Sequence, residues 1–194
     1  GTPIVCEPCW PALTALGVRG LAVPGDVRRS DDVAAVVGAA ADHFGRLDIL
    51  VNAAAGNFLA RAEDLSPNGF GAVVDIDLKG TFNVARAAFT HLRQRGGVVV
   101  NISATLQLLG TVGQSHAAAA KAGVDALTRT LAAEWGPAGV RVNGVAPGPV
   151  DDTEGARRLL DPASREQIAQ RCPLGRLATV EDVSNAVLFL CSDA

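Results

Sequence analysis

The chain has 194 residues, 48% of them hydrophobic and 19% charged, with a formal net charge of −3; this is the make-up of one ordinary α/β-sized domain. No apolar run approaches the roughly 18 residues that span a bilayer, and no basic segment precedes a short apolar one, so the sequence shows neither a membrane span nor a secretory signal. The 17 basic residues are scattered among 20 acidic ones, which leaves no footprint for a phosphate backbone and excludes nucleic acid as the expected partner.

An irregular, Pro-containing start gives way to short β-branched runs alternating with longer helical patterns, the sign of βαβ units on a parallel sheet. The runs 21–23, 49–51, 98–102 and 140–146 read as strands. A helix is predicted over 30–44, with Ser30 as its cap and Gly45 as its stop, and 64–95 reads as one long, mainly helical segment. Over 115–135, Val124, Leu127, Leu131 and Trp135 keep helical spacing on one face, and Gly136-Pro137 ends the pattern. The stretch 153–171 is polar and helical in pattern, and a last helix runs over 179–190. No repeat or linker divides the chain, so 1–194 reads as a single domain.

Two residue types are absent, Met and Tyr. Without Met, the sequence reads as a fragment that does not begin at its initiator; without Tyr, it has no phenolic acid to offer a mechanism. Cys6-Glu-Pro-Cys9 has the spacing of half a zinc site, but no second pair follows, and Cys172 and Cys191 are isolated; reduced thiols in an intracellular protein, and no metal, are expected.

Ligands of parallel sheets bind in the crevice beyond the strand ends. There the sequence places Gly25-Asp26-Val27-Arg28, Asn52-Ala53-Ala54-Ala55-Gly56-Asn57-Phe58, Ser103-Ala104-Thr105 and Pro147-Gly148-Pro149-Val150, small residues that let a flat ligand approach the backbone. Any one of these loops is equally a packing loop.

With Lys121, Arg141-Val142-Asn143 and Pro173-Leu174-Gly175-Arg176, these strings stand in the order and spacing that resemble short-chain dehydrogenases/reductases, over roughly residues 18 to 194. The resemblance implies a Rossmann-like, doubly wound parallel sheet. It places the nicotinamide cofactor on Asp26, Val27, Asn52, Ala54, Ala55, Gly56, Lys121, Pro147, Gly148, Pro149, Val150 and Thr153.

The departures from the general family narrow the resemblance. Its active-site tyrosine corresponds to Ala117 and its serine to Ala104, while its asparagine is replaced by Asp77 in Val74-Asp75-Ile76-Asp77-Leu78-Lys79-Gly80. A carbonyl reductase needs a proton donor at the alkoxide oxygen, and methyl groups supply none. The loss of the Tyr-Ser pair, the retained lysine and the aspartate are similar to the peroxisomal 2,4-dienoyl-CoA reductases. Gly80-Thr81-Phe82-Asn83-Val84, Asn101-Ile102 before Ala104-Thr105-Leu106, His116-Ala117 before Lys121, and Thr153-Glu154-Gly155 agree with that branch.

What this implies is reduction of a conjugated acyl-CoA thioester with NADPH, in the breakdown of unsaturated fatty acids in peroxisomes. Asp77 and Lys121 would be catalytic, Asp77 by polarising a proton-donating water and Lys121 by holding the ribose hydroxyls and adding positive potential. Arg28, Phe58, Ser66, Asn68 and Arg158 would contact the acyl-CoA, although both arginines read equally as surface charges. His116 points about a quarter turn or more away from Ala117 and so does not simply replace the phenol; it reads as a satisfied or partly exposed histidine ahead of a substrate or proton contact. The resemblance also implies a homo-oligomer built through two long helices.

The family's Thr-Gly-x-x-x-Gly-x-Gly phosphate turn does not occur in the sequence, residues 1–17 resemble none of it, and the family's last strand lies past residue 194. The expected sheet is therefore incomplete. In the family's order the first strand separates the strand near Leu21 from that near Ile49, so the Ile49 strand is expected to have an unpaired edge and the Leu21 strand no neighbour. Two alternatives stand beside the dienoyl-CoA reading: an inactive truncated reductase that is at most an assembly partner, and a short-chain reductase acting on another enoyl-CoA.

Overall fold

The computed structural model describes residues 15–193; Cys6 and Cys9 lie outside the described residues. Three β-branched runs pair side by side as β1 (Ile49–Asn52), β2 (Val98–Ile102) and β3 (Arg141–Val145), a parallel sheet in the order β1-β2-β3. Val51 stands opposite Val100 and Asn52 opposite Asn101, while Val100 faces Asn143 on the other side.

Parallel neighbours need long crossovers, which helices supply. Helix α1 (Ser30–Phe44) precedes β1. Between β1 and β2 run α2 (Pro67–Val74), a π-helical turn (Asp75–Lys79) and α3 (Gly80–Leu92), and between β2 and β3 run α4 (Leu106–Leu109) and α5 (Ser115–Trp135). After β3 come α6 (Glu154–Leu159), α7 (Pro162–Arg171) and α8 (Val180–Cys191). No helix among the described residues is long and apolar enough to cross a membrane.

Helices α1 and α5 have the expected bounds. Gly45 closes α1 with φ 71°, a left-handed conformation that a residue with a Cβ adopts only at a cost. Ser30, however, is the first helical residue rather than the cap. Arg29 holds that place without a side-chain cap bond, and the turn is tied instead by Asp32, whose Oδ2 accepts the Asp26 N–H at 3.2 Å. Thr179 and Asp182 cap the start of α8 reciprocally.

The expected strand at 21–23 is not in the sheet. A strand is held by lateral hydrogen bonds, and no described strand runs beside this one. The same vacancy leaves β1 an edge, with Ile49 46% and Val51 43% exposed.

The core gathers Val33 and Val37 of α1, Ala85, Ala88 and Leu92 of α3, Leu131 of α5, and Val99, Val140 and Val142 from β2 and the β3 region. Alanine at 85 and 88 lets α3 approach closely. Val98 and Val100, which alternation turns to the opposite face, are buried as well. Helix α8 lies against β2 and β3, so the middle strand is covered on both sides.

Candidate active site

Register brings two asparagines together at the C-terminal ends of β1 and β2. Asn52 Nδ2 donates to Asn101 Oδ1 at 2.9 Å, Asn101 Nδ2 donates to Thr128 Oγ1 at 2.9 Å, and the Thr128 hydroxyl donates to the Val124 carbonyl at 2.7 Å. Both asparagines are buried, and this relay ties the strand ends to α5. Beyond Asn52 the chain turns to Gly56, whose N–H donates to Asp77 Oδ1 at 2.7 Å.

Asp77 sits in the π-helical turn between α2 and α3, a distortion common at functional sites, and it is 1% exposed. Lys121 Nζ donates to the Ile102 carbonyl at 2.9 Å and stands 3.4 Å from Asp77 Oδ2. Burial pushes the Asp77 carboxyl above its ordinary value, opposed by the Lys121 charge and the Gly56 N–H. The carboxyl is thus held closer to its proton-carrying form than a surface aspartate.

Ala117, one helical turn before Lys121, is buried on the same face of α5. That face therefore presents an ammonium beside a carboxylate, with a methyl group where a hydroxyl would stand. His116, read from the sequence as satisfied or partly exposed, is 0% exposed, and neither ring nitrogen has a hydrogen-bond partner among the described residues. Its ring lies against that of Phe58, with centroids 4.4 Å apart and planes inclined by 35°.

On the β1 side a groove of about 240 Å³ brings Asp26 and Val27 opposite Asn52 and Ala54, with Val23 and Val51 among its walls. Arg28 Nη2 lies 2.5 Å from Asp26 Oδ2, and the Arg28 backbone N–H donates to Oδ1 at 2.9 Å; together they hold the Asp26 carboxyl down at about 2. Val27 is fixed from behind, its carbonyl accepting from Asn83 Nδ2 at 2.9 Å.

The 147–150 loop closes the other side. Pro147 and Pro149 offer their carbonyls to Thr105 N–H and Ala178 N–H, both at 3.2 Å, and Val150 bridges Ala178. A Cβ at Gly148 would meet nothing within 4 Å, so this turn faces open space.

Gly56, Asp77 and Lys121 thus form one cluster, with Ala55 exposed beside it, and Asp26, Val27, Asn52 and Ala54 line one groove. The other candidates have local partners. Thr153 caps α6 through Ala156 N–H at 3.1 Å and donates to the Val150 carbonyl at 2.9 Å. Ser66 caps α2 through Gly69 N–H at 3.0 Å, and Asn68 is exposed on that helix. The Arg28 guanidinium pairs with Asp26, and that of Arg158 with Glu154 on the surface. Sequence reasoning passed over Asn101, although the two strand-terminal asparagines were a signal for pairing across the sheet.

A family model described as enoyl-(acyl carrier protein) reductase matches residues 9–194. A peroxisomal 2,4-dienoyl-CoA reductase of Arabidopsis thaliana, named as (3E)-enoyl-CoA-producing, is 47% identical over 193 residues, 94% of this chain and 65% of its own length. A probable 2,4-dienoyl-CoA reductase of Bacillus subtilis, named as (2E)-enoyl-CoA-producing, is 45% identical over 174 residues, 87% of this chain and 68% of its own. The crystal structure of a short chain dehydrogenase from Bacillus anthracis superposes with a TM-score of 0.78 at 42% identity, over 88% of this chain and 67% of that one. The chain therefore spans about two thirds of the length of such relatives, just under that share for the plant protein.

Proposed function

The chain belongs to the short-chain dehydrogenase/reductase family, and from that premise we propose that it reduces 2,4-dienoyl-CoA thioesters with NADPH. The observation that carries this reading is the buried Asp77, gripped by the Gly56 N–H and set beside Lys121, in a site whose two hydroxyl positions are Ala104 and Ala117. Reduction of a simple ketone needs an acid on the alkoxide oxygen, and neither alanine can act as one. A dienoyl thioester spreads the developing charge through its conjugation and takes its proton on carbon, so the missing hydroxyls matter less.

Family members use nicotinamide cofactors, and the residues fit one in part. The apolar groove between Val27 and Ala54 suits a flat ring, Asp26 at its rim suits ribose hydroxyls, and Lys121 suits the nicotinamide ribose. The glycine-rich turn that would cradle the pyrophosphate is not in the sequence. When bound, the cofactor supplies the hydride.

The protein's own groups do the rest. Lys121 raises the local positive potential where the thioester gains negative charge, and its bond to the Ile102 carbonyl fixes the ammonium there. Asp77 orders the water that delivers the proton to carbon, and the proton that burial helps the carboxyl retain passes to that water and replaces the one it gives up. Phe58, Ser66, Asn68, Arg28 and Arg158 take the acyl-CoA side. The Arabidopsis relative's name supports a peroxisomal location, the substrate class suits the breakdown of unsaturated fatty acids, and the two longest helical runs, 67–92 and α5, are the proposed homo-oligomer surfaces.

The decisive assay offers NADPH with 2,4-hexadienoyl-CoA, a trans-2-enoyl-CoA and a simple ketone. Turnover of the dienoyl ester alone is expected; comparable ketone reduction overturns the reading. Reduction of the enoyl ester alone supports the alternative that the family model's description suggests. The position of the product double bond distinguishes the (3E) from the (2E) outcome.

A further inference from the structure

We propose that His116 contacts the substrate, its imidazole N–H donating a hydrogen bond to the thioester carbonyl oxygen of the bound acyl-CoA. This rests on the reading of the site as one for acyl thioesters. A neutral imidazole carries one donor and one acceptor, and a buried polar group without partners is costly unless something else satisfies it. His116 is wholly buried, and both nitrogens are without a partner among the described residues. That is an unusual state for a histidine whose role is packing.

The position of the ring narrows what can satisfy it. It stands in the first turn of α5, five residues before Lys121, where α5 packs against α2 and the π-helical turn that carries Asp77. Phe58, itself 39% exposed, covers its face, so the proposed contact forms at the ring edge when the Phe58 side chain swings aside. The polar side chains of the site already have partners: Asp77 in Gly56 and Lys121, Lys121 in Ile102 and Asp77, and Asn52 in Asn101.

A thioester carbonyl brings acceptor lone pairs and no donor. With alanine at 104 and 117, the imidazole N–H is a donor with no partner among the described residues. A donor at that oxygen gains strength as the oxygen takes up charge, so it acts mainly in the transition state.

The test compares the full-length protein with His116→Phe, which fills the volume without a donor, and His116→Gln, whose amide can donate. With 2,4-hexadienoyl-CoA and NADPH, His116→Phe is expected to lower kcat about 10-fold or more, as removal of a transition-state donor does. The KM for NADPH should stay unchanged, and His116→Gln should recover part of the loss.

In the parent protein, the ring 15N signals of His116 are expected to shift on saturation with 2,4-hexadienoyl-CoA. Parental kcat in a folded His116→Phe, or ring signals that do not move on saturation, overturns the proposal. Should His116→Phe fail to fold, the ring signals decide alone. If the parent does not reduce the dienoyl ester, the functional reading fails; the same ring measurement against a trans-2-enoyl-CoA then decides the contact, movement supporting it and stillness refuting it.

Discussion

Strands β1 and β2 are built from the same kind of residue and meet opposite fates. Val99 and Val100 are fully buried, whereas Val51, directly opposite Val100, is 43% exposed. On the β2 side the sheet has a strand on each flank and helices over both faces, and the asparagine relay and the Asp77-Lys121 pair are fixed there. On the β1 side the outer edge opens into the groove beneath Asp26 and Val27. The Asp77-Lys121 half of the site is thus preorganised by packing, while the half proposed to hold the cofactor rests on a loop and an edge strand.

That contrast predicts a graded series of effects. Leu92→Ala, which removes a fully buried core side chain, should cost about 2–5 kcal/mol in chemical denaturation, whereas Val51→Ala should stay within about 0.5 kcal/mol. Equal losses would mean that the β1 edge is covered.

Next comes Asp77→Ala, expected to lower kcat on 2,4-hexadienoyl-CoA by about 10²-fold, with a far smaller rise in KM. Asp77→Asn keeps the shape and removes the charge. Near-normal turnover by that variant would reduce the carboxylate to a hydrogen-bond acceptor.

Gly80 joins the two halves, because a Cβ there would lie 2.6 Å from Val27 Cγ2. Gly80→Ala should cost about 1–3 kcal/mol by overpacking, and adding Val27→Ala should return part of it in a double-mutant cycle. Simple additivity would show that the two do not touch.

On the open side, the 194-residue polypeptide should bind NADPH more weakly than a Kd of about 1 μM, roughly −8 kcal/mol, when followed by nicotinamide fluorescence. Saturation at lower concentration would show that no glycine-rich turn is required.

The smallest effect is electrostatic. The Asp26 carboxyl is lowered from 3.8 to about 2, so its contribution to stability is present above the unfolded value and lost as pH falls from 3.8 towards 2. Solvent screens this partly exposed pair. Asp26→Asn should flatten the acid limb of the stability curve slightly. Asp77 has the opposite sign: its raised carboxyl makes ionisation unfavourable to the fold, so its contribution declines as pH rises above 3.8 through the folded value.

Sequence alone determined the elements whose signals are local. The 30–44 and 115–135 helices, the Gly45 stop, the Thr179 start and the β-branched strands at 49–51 and 98–102 were all legible, because backbone conformation follows from spacing, caps and glycine at positive φ. The family resemblance likewise singled out Asp77 and Lys121, each for its own role, and the structure sets them side by side. Only the tertiary structure decided the rest. Residues 21–23 have strand composition but no strand, since a strand is defined by its neighbour. Thr153 and Ser66 cap helices, and the guanidiniums of Arg28 and Arg158 pair with nearby acids. From sequence, His116 reads as a satisfied or partly exposed histidine ahead of a substrate contact, because helical spacing gives the direction of a side chain and not what lies opposite it. Burial, unmet polarity and the raised Asp77 carboxyl come from residues distant in the chain, and packing alone brings these together.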